Sequence, residues 1–132
     1  MNKVKGSCYC GSVQWEFTLP VETVVKCHCG MCRKTQGSDY TTWVVVPSEQ
    51  YAITKGSHAV TKYQANKKSS KNFCSHCGTP VFSINGKHFP EHVVLALGAL
   101  DSYFEKLAPQ IQVYTPDKAT WVKLHDDEPI FS

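Results

Sequence analysis

Val13-Gln14-Trp15-Glu16-Phe17-Thr18 alternates apolar and polar side chains at every step, the period of a half-buried strand. Pro20 closes the run. Reading outward, the same signal returns in short bursts separated by turn residues. Asp39 to Val46, DYTTWVVV, is rich in β-branched and aromatic residues and stops at Pro47. Tyr51 to Thr54 and Ala59 to Tyr63 flank Lys55-Gly56-Ser57, which predicts a hairpin. Pro80 to Ile84 runs into Asn85-Gly86, the strongest short hairpin signal of the chain. His92 to Leu97 reads as a buried strand, and Ile111 to Tyr114 and Trp121 to Leu124 close the set. Asp101 is placed to cap one or two helical turns over SYFEKL before Pro109. No stretch carries the pattern of a long amphipathic helix. The expectation is a mainly β, small antiparallel fold with little helix and, with no linker in view, a single domain over residues 1–132.

The 132 residues include 14 basic and 11 acidic side chains, a formal net charge of +3. That balance is too weak to argue for a nucleic-acid partner, which calls for a strongly basic face. No apolar run approaches the roughly 18 residues needed to span a bilayer. The opening MNKVKGSCYC has lysines but no apolar core, so it does not read as a secretory signal. The expected compartment is the reducing cytoplasm, where clustered cysteines read as metal ligands or redox groups. Seven cysteines, an odd number, would also leave one thiol over in a fully paired disulfide framework.

Every cysteine belongs to a cluster. Cys8 and Cys10 form C-x-C before Gly11, Cys27, Cys29 and Cys32 form C-x-C-x-x-C, and Cys74 and Cys77 form C-x-x-C before Gly78. In C-x-x-C a tight turn brings two sulfurs toward one ion, and the following glycine admits a left-handed backbone. One such knuckle supplies two of the four ligands of tetrahedral zinc, and Cys8 with Cys10 can supply the others. The remaining three thiols would leave a fourth position open, the arrangement of reactive zinc sites. Alternatives stand beside this reading. They are a redox dithiol, a second site closed by His28 and purely structural, a thiol or zinc sensor, and a zinc-stapled binding module.

His28, between two ligands of an extended segment, is expected to point away from them. His76 is expected to be exposed, His58, His88 and His92 to lie in turns or at strand edges, and His125 beside the acidic tail. Trp43 is open between pocket wall and core. Lys62, Lys67, Lys68 and Lys71 read as the solvated tip of a hairpin.

Three ordered motifs carry a resemblance. Gly6-Ser7-Cys8-Tyr9-Cys10-Gly11-Ser12-Val13 resembles the opening of the glutathione-dependent formaldehyde-activating enzyme and centromere protein V family. Cys27-His28-Cys29-Gly30-Met31-Cys32-Arg33-Lys34-Thr35-Gln36-Gly37 is similar to its central motif, and Phe73-Cys74-Ser75-His76-Cys77-Gly78-Thr79-Pro80 to its third. Leu97-Gly98-Ala99-Leu100-Asp101 agrees as well. The resemblance implies a β-tent fold pinned by zinc. It implies that Cys8, Cys10, Cys74 and Cys77 hold a structural ion and that Cys27, Cys29 and Cys32 hold a reactive one. It further implies a carbon–sulfur lyase acting on adducts of glutathione, or a similar small thiol, with a small aldehyde. Arg33 and Lys34, beside Cys32, are then the candidates to receive the carboxylates of the thiol. One departure is visible: Gln112 stands where many members carry a histidine.

Overall fold

Alternate residues of a strand point to opposite faces, and the two faces of the main sheet here meet different surroundings. The computed structural model describes residues 2–102, 105–124 and 129–131. His125 and the middle of the SYFEKL segment lie outside those residues. The strands are β1 (Lys3–Ser7), β2 (Gln14–Thr18), β3 (Thr23–Cys27), β4 (Thr41–Pro47), β5 (Tyr51–Lys55) and β6 (Val60–Gln64), followed by β7 (Ser69–Cys74), β8 (Pro80–Asn85), β9 (His92–Ala96), β10 (Ile111–Val113) and β11 (Ile130–Phe131). A small sheet runs β1-β2-β5 and a large one β11-β10-β3-β4-β9-β8-β7-β6. The protein is mainly β, as expected. Among the described residues no helix is long and apolar enough to cross a membrane.

The small sheet covers one face of the large one. Val4 and Phe17 from the former pack with Val24, Val44, Val46 and Leu95 from the latter. Their neighbours Val25, Trp43 and Val94 point the other way and form a separate cluster with Cys27. A third cluster joins Val13 and Trp15 to Cys8, Cys74 and Val81. The sheets also meet at the Gly6–Leu100 bridge, where the Asp101 amide donates to the Lys5 carbonyl at 2.8 Å and the Ser7 hydroxyl to Asp101 Oδ1 at 2.7 Å. Gly6 faces Trp15 across β1 and β2, and any Cβ there would strike the buried indole.

Four expectations need correction. The segments flanking Lys55-Gly56-Ser57 form no hairpin, because β5 pairs with β2 and β6 with β7, in different sheets. Gly56 is where the chain passes from one sheet to the other. Asn85-Gly86 is not a two-residue loop. β8 and β9 do pair, at Ser83–Val94, but a longer loop joins them, and the Gly86 amide donates instead to the Lys68 carbonyl at 2.8 Å. Trp121 to Leu124 carries no strand. The sheet is not wholly antiparallel, since β10 runs parallel to both β3 and β11. By contrast, β6 and β7 form the hairpin expected around the lysines, with Lys67 and Lys68 in its turn.

Gly56 has a φ of 76°, and a Cβ there would collide with the Ser12 carbonyl oxygen. Gly37 has a φ of 65°, but nothing lies within 4 Å of its would-be Cβ. Gly37→Ala is therefore expected to cost about 1 kcal/mol, the left-handed strain alone, and Gly56→Ala about 3 kcal/mol or more. Denaturant unfolding of the two variants checks this; equal losses would refute the clash.

Candidate metal centres and the cleft beside them

Strand ends deliver the cysteines. β1 leads into Cys8, whose amide donates to the Val13 carbonyl at 3.0 Å while the Gly11 amide returns to the Cys8 carbonyl at 3.0 Å. β7 ends at Cys74, where the Gly78 amide donates to the Cys74 carbonyl at 2.8 Å and the Cys74 amide to the Thr79 carbonyl at 3.0 Å. The Tyr9 amide donates to Thr79 Oγ1 at 3.0 Å, joining the two turns. The four sulfurs of Cys8, Cys10, Cys74 and Cys77 consequently lie within 4.8 Å of one another.

The second group forms where β3 gives way to a short helix, α1 (Gly30–Gln36). Cys29 caps that helix, its sulfur accepting from the Cys32 amide at 3.2 Å, so Cys32 returns toward Cys27. The sulfurs of Cys27, Cys29 and Cys32 also lie within 4.8 Å of one another. The expectation was only of a turn at Gly30. A seven-residue helix that buries no side chain leaves no periodicity to read, and its cap is a thiol instead of the usual hydroxyl or carboxylate.

Both groups fit a metal ion. Thiolates about 2.3 Å from zinc at the corners of a tetrahedron sit ~3.8 Å apart. Cys8 and Cys10 are 3.6 Å apart, Cys10 and Cys74 3.8 Å, and Cys27 and Cys32 3.5 Å. All seven cysteines are free thiols. Backbone amides also aim at the sulfurs: Val13 at Cys8 (3.2 Å), His76 at Cys74 (3.4 Å) and Cys32 at Cys29. Such donors favour the anionic sulfur that a metal requires. The groups could therefore each hold a zinc ion, one with four ligands and one with three.

Without a cation the thiols are unequal. Burial pushes Cys8 up to about 11, while the Thr79 hydroxyl beside Cys77 holds that thiol down at about 5. In the three-thiol group, Cys32 is pushed up by the hydrogen bond with Cys27 and then by burial, and Cys29 by burial. Charge there is disfavoured unless a positive ion is present.

The three-thiol group opens on a cleft of about 930 Å³. Val25, Trp43, Phe89, Val94 and Val113 line it together with the three cysteines. Trp43 thus serves both alternatives, buried in the core and part of this wall. Lys67, Lys68, Lys71 and Lys87 line the same cleft. The first three were expected to be merely solvated with Lys62 at a hairpin tip, and Lys71 instead donates to the Thr35 carbonyl of α1. Arg33 and Lys34 lie elsewhere, on a shallow groove with Ser38 and Asp39, where the Arg33 guanidinium donates to the Asp117 carbonyl at 2.9 Å.

His28 does point away from the cysteines and belongs to neither group, but it is fully buried. Its Nε2 lies 2.7 Å from Gln112 Oε1, and its Nδ1 has no hydrogen-bond partner. Gln112, the departure noted above, is therefore the buried partner of a residue between two ligands. His76 and His58 are exposed, and His88, also exposed, lies 3.1 Å from the Tyr114 hydroxyl.

Comparison with known proteins bears on the family and the fold. A family model described as glutathione-dependent formaldehyde-activating enzyme matches residues 3–117. Over 85 residues the chain is 29% identical to a protein of Talaromyces marneffei named "Putative glutathione-dependent formaldehyde-activating enzyme". That match covers 63% of this chain and 46% of the relative, so it spans about half the relative's length. The crystal structure of a Rhodobacter sphaeroides protein shares the fold, with a TM-score of 0.64 at 22% identity over 77% of this chain and 92% of that one.

Gln112→Leu keeps the volume but leaves His28 Nε2 unpaired. It is expected to destabilise the protein by about 1–3 kcal/mol in denaturant unfolding. A change below about 0.5 kcal/mol would show that the buried pair contributes nothing.

Proposed function

The chain belongs to the glutathione-dependent formaldehyde-activating enzyme family, and from that membership we propose that it makes or breaks the carbon–sulfur bond between a small thiol, glutathione or a close analogue, and a small aldehyde. It would do so as a carbon–sulfur lyase working as one zinc-binding domain over residues 1–132. The observation that carries the proposal is a three-thiol group at the wall of a cleft lined elsewhere by lysines.

Cys8, Cys10, Cys74 and Cys77 would hold a structural zinc ion, and Cys27, Cys29 and Cys32 a second one. At the three-thiol group a bound zinc supplies a positive charge and an open position that lower the pKa of an arriving thiol. The chain's own residues do the rest. Lys67, Lys68 and Lys87 offer cations to the carboxylates of glutathione. Arg33 and Lys34, on the outer groove, would act on an anionic thiol only locally, within about a Debye length of that groove. Trp43 and Phe89 keep water from the reacting atoms. In the forward direction the thiol gives up its proton, a sulfur lone pair attacks the carbonyl carbon, the π pair moves to oxygen, and that oxygen takes up a proton in place of the one the thiol lost. The product is a hydroxyalkyl thioether, and the reverse reaction returns thiol and aldehyde. His88 Nε2 and Tyr114 Oη, also on the cleft, can carry the proton. Free thiols throughout suit a reducing compartment.

Elemental analysis and exchange NMR of hydroxymethylglutathione test this together. The expected result is two zinc ions per chain and accelerated exchange between adduct and free components. Cys32→Ser should retain one zinc and the fold while exchange falls to the uncatalysed rate. Cys74→Ser should lose the fold with the structural ion. Wild-type exchange in Cys32→Ser, or a single zinc in the native protein, would sink the proposal.

A further inference from the structure

A hydroxymethyl adduct of glutathione is polar throughout, yet the cleft that receives it is not. The three thiols sit inside an apolar cluster, with Val25, Trp43 and Val94 buried around Cys27 and with Phe89 and Val113 packed against them. At about 930 Å³ the cleft stands near the upper end of the ~300–1,000 Å³ typical of small-molecule sites. Seven large apolar side chains are exposed among the described residues, and four of them, Met31, Tyr63, Tyr114 and Phe131, line this one cleft. Surface apolar residues scattered singly need no explanation, but apolar residues gathered around a reactive cavity do. Lys67, Lys68 and Lys71 come from the β6–β7 hairpin and Lys87 from the loop after β8, so the lining offers cations for an anionic part of a ligand as well as apolar side chains for a hydrocarbon part.

We propose that the cleft selects thiol adducts whose aldehyde-derived part carries an apolar chain or ring, several carbons larger than the hydroxymethyl group. This rests on the proposed function for the thiol half of the ligand and specifies the carbonyl half. The polar, twice-carboxylated peptide lies toward Lys67, Lys68 and Lys87. The sulfur reaches Cys27, Cys29 and Cys32, and the hydrocarbon covers Trp43, Phe89 and Phe131. Each methylene moved from water onto such a wall is expected to raise affinity about fourfold until the wall is covered.

S-alkyl glutathiones from methyl to octyl, which cannot react, serve as binding probes in calorimetry with the zinc-loaded protein. Affinity should rise by about fourfold per methylene over the first several members, then level off. Phe89→Ala and Phe131→Ala should each flatten that slope more than they weaken binding of the methyl member. Phe131 is exposed, so its variant is expected to fold even where Phe89→Ala does not. Hemithioacetals of glutathione with acetaldehyde through hexanal, followed by exchange NMR, should show the same ordering in kcat/KM. A flat or falling series of affinities overturns the inference, whatever the turnover. Accelerated exchange of hydroxymethylglutathione with a flat series leaves the proposed function standing alone. A rising affinity series without turnover of any adduct upholds the ligand class and removes the enzyme reading.

Discussion

Four sulfur atoms must meet where two distant turns touch, and the rest of the molecule is arranged around that meeting. Cys10 and Cys74 are 64 positions apart, yet their sulfurs lie 3.8 Å apart. One turn closes the small sheet and the other closes the β7 end of the large sheet, so the encounter holds the sheets together at one side. At that distance two thiolates repel by about 1 kcal/mol even in bulk water and by several-fold more at a protein surface. A cation between them would offset that repulsion and allow all four sulfurs to be thiolates at once. Cys8 makes the point: burial first, and then the neighbouring thiols of Cys10, Cys74 and Cys77, push it up to about 11 against the Val13 amide that aims at its sulfur.

A second junction between the sheets, one and two residues before Cys8, uses no sulfur. The Gly6–Leu100 bridge and the Ser7–Asp101 hydrogen bond join β1 to the segment after β9. In the core between the two sheets, Val44, Val46 and Leu95 meet Val4 and Phe17. Strand alternation then decides where chemistry is possible. Covering the Val44 face leaves the Trp43 face with no second sheet, and β3 ends on that face at Cys27. The group with four thiols lies beside the packed core of Trp15 and Val81, and the group with three lies on the open face. The places of the four-thiol and the three-thiol groups thus follow from which side of one sheet each strand end occupies.

This explains how much could be read beforehand. The cysteine groups were legible because ligand spacing is local, and a C-x-x-C turn looks the same wherever its partner comes from. The strands were legible where one face is buried, as at Trp15 and Phe17. Pairing was not. Nothing local to Lys55-Gly56-Ser57 says that Tyr51 to Lys55 joins β2 while Val60 to Gln64 joins β7. Parallel pairing of Ile111–Val113 beside β3 is a long-range outcome with no turn to announce it. Arg33 and Lys34 looked nearest to the chemistry because they follow Cys32. The helix carries them to another groove, and of the lysines that line the cleft three come from a hairpin more than thirty residues later and Lys87 from the loop after β8.

Net charge is a poor guide to such a site. The formal +3 counts every thiol as neutral. Two zinc ions on seven thiolates would bring the chain close to neutrality. A near-neutral protein has no long-range attraction for an anion, and screening at physiological salt confines any field to ~8 Å. What acts on an approaching carboxylate is then the local arrangement. Lys67, Lys68, Lys71 and Lys87 line the same cleft as the thiols, and Lys71 is tied to α1 through the Thr35 carbonyl. That hydrogen bond fixes the hairpin against the helix that carries Cys32. Lys71 and the three thiols are consequently tied together through one short helix, and a molecule that reached both would be measured against that spacing.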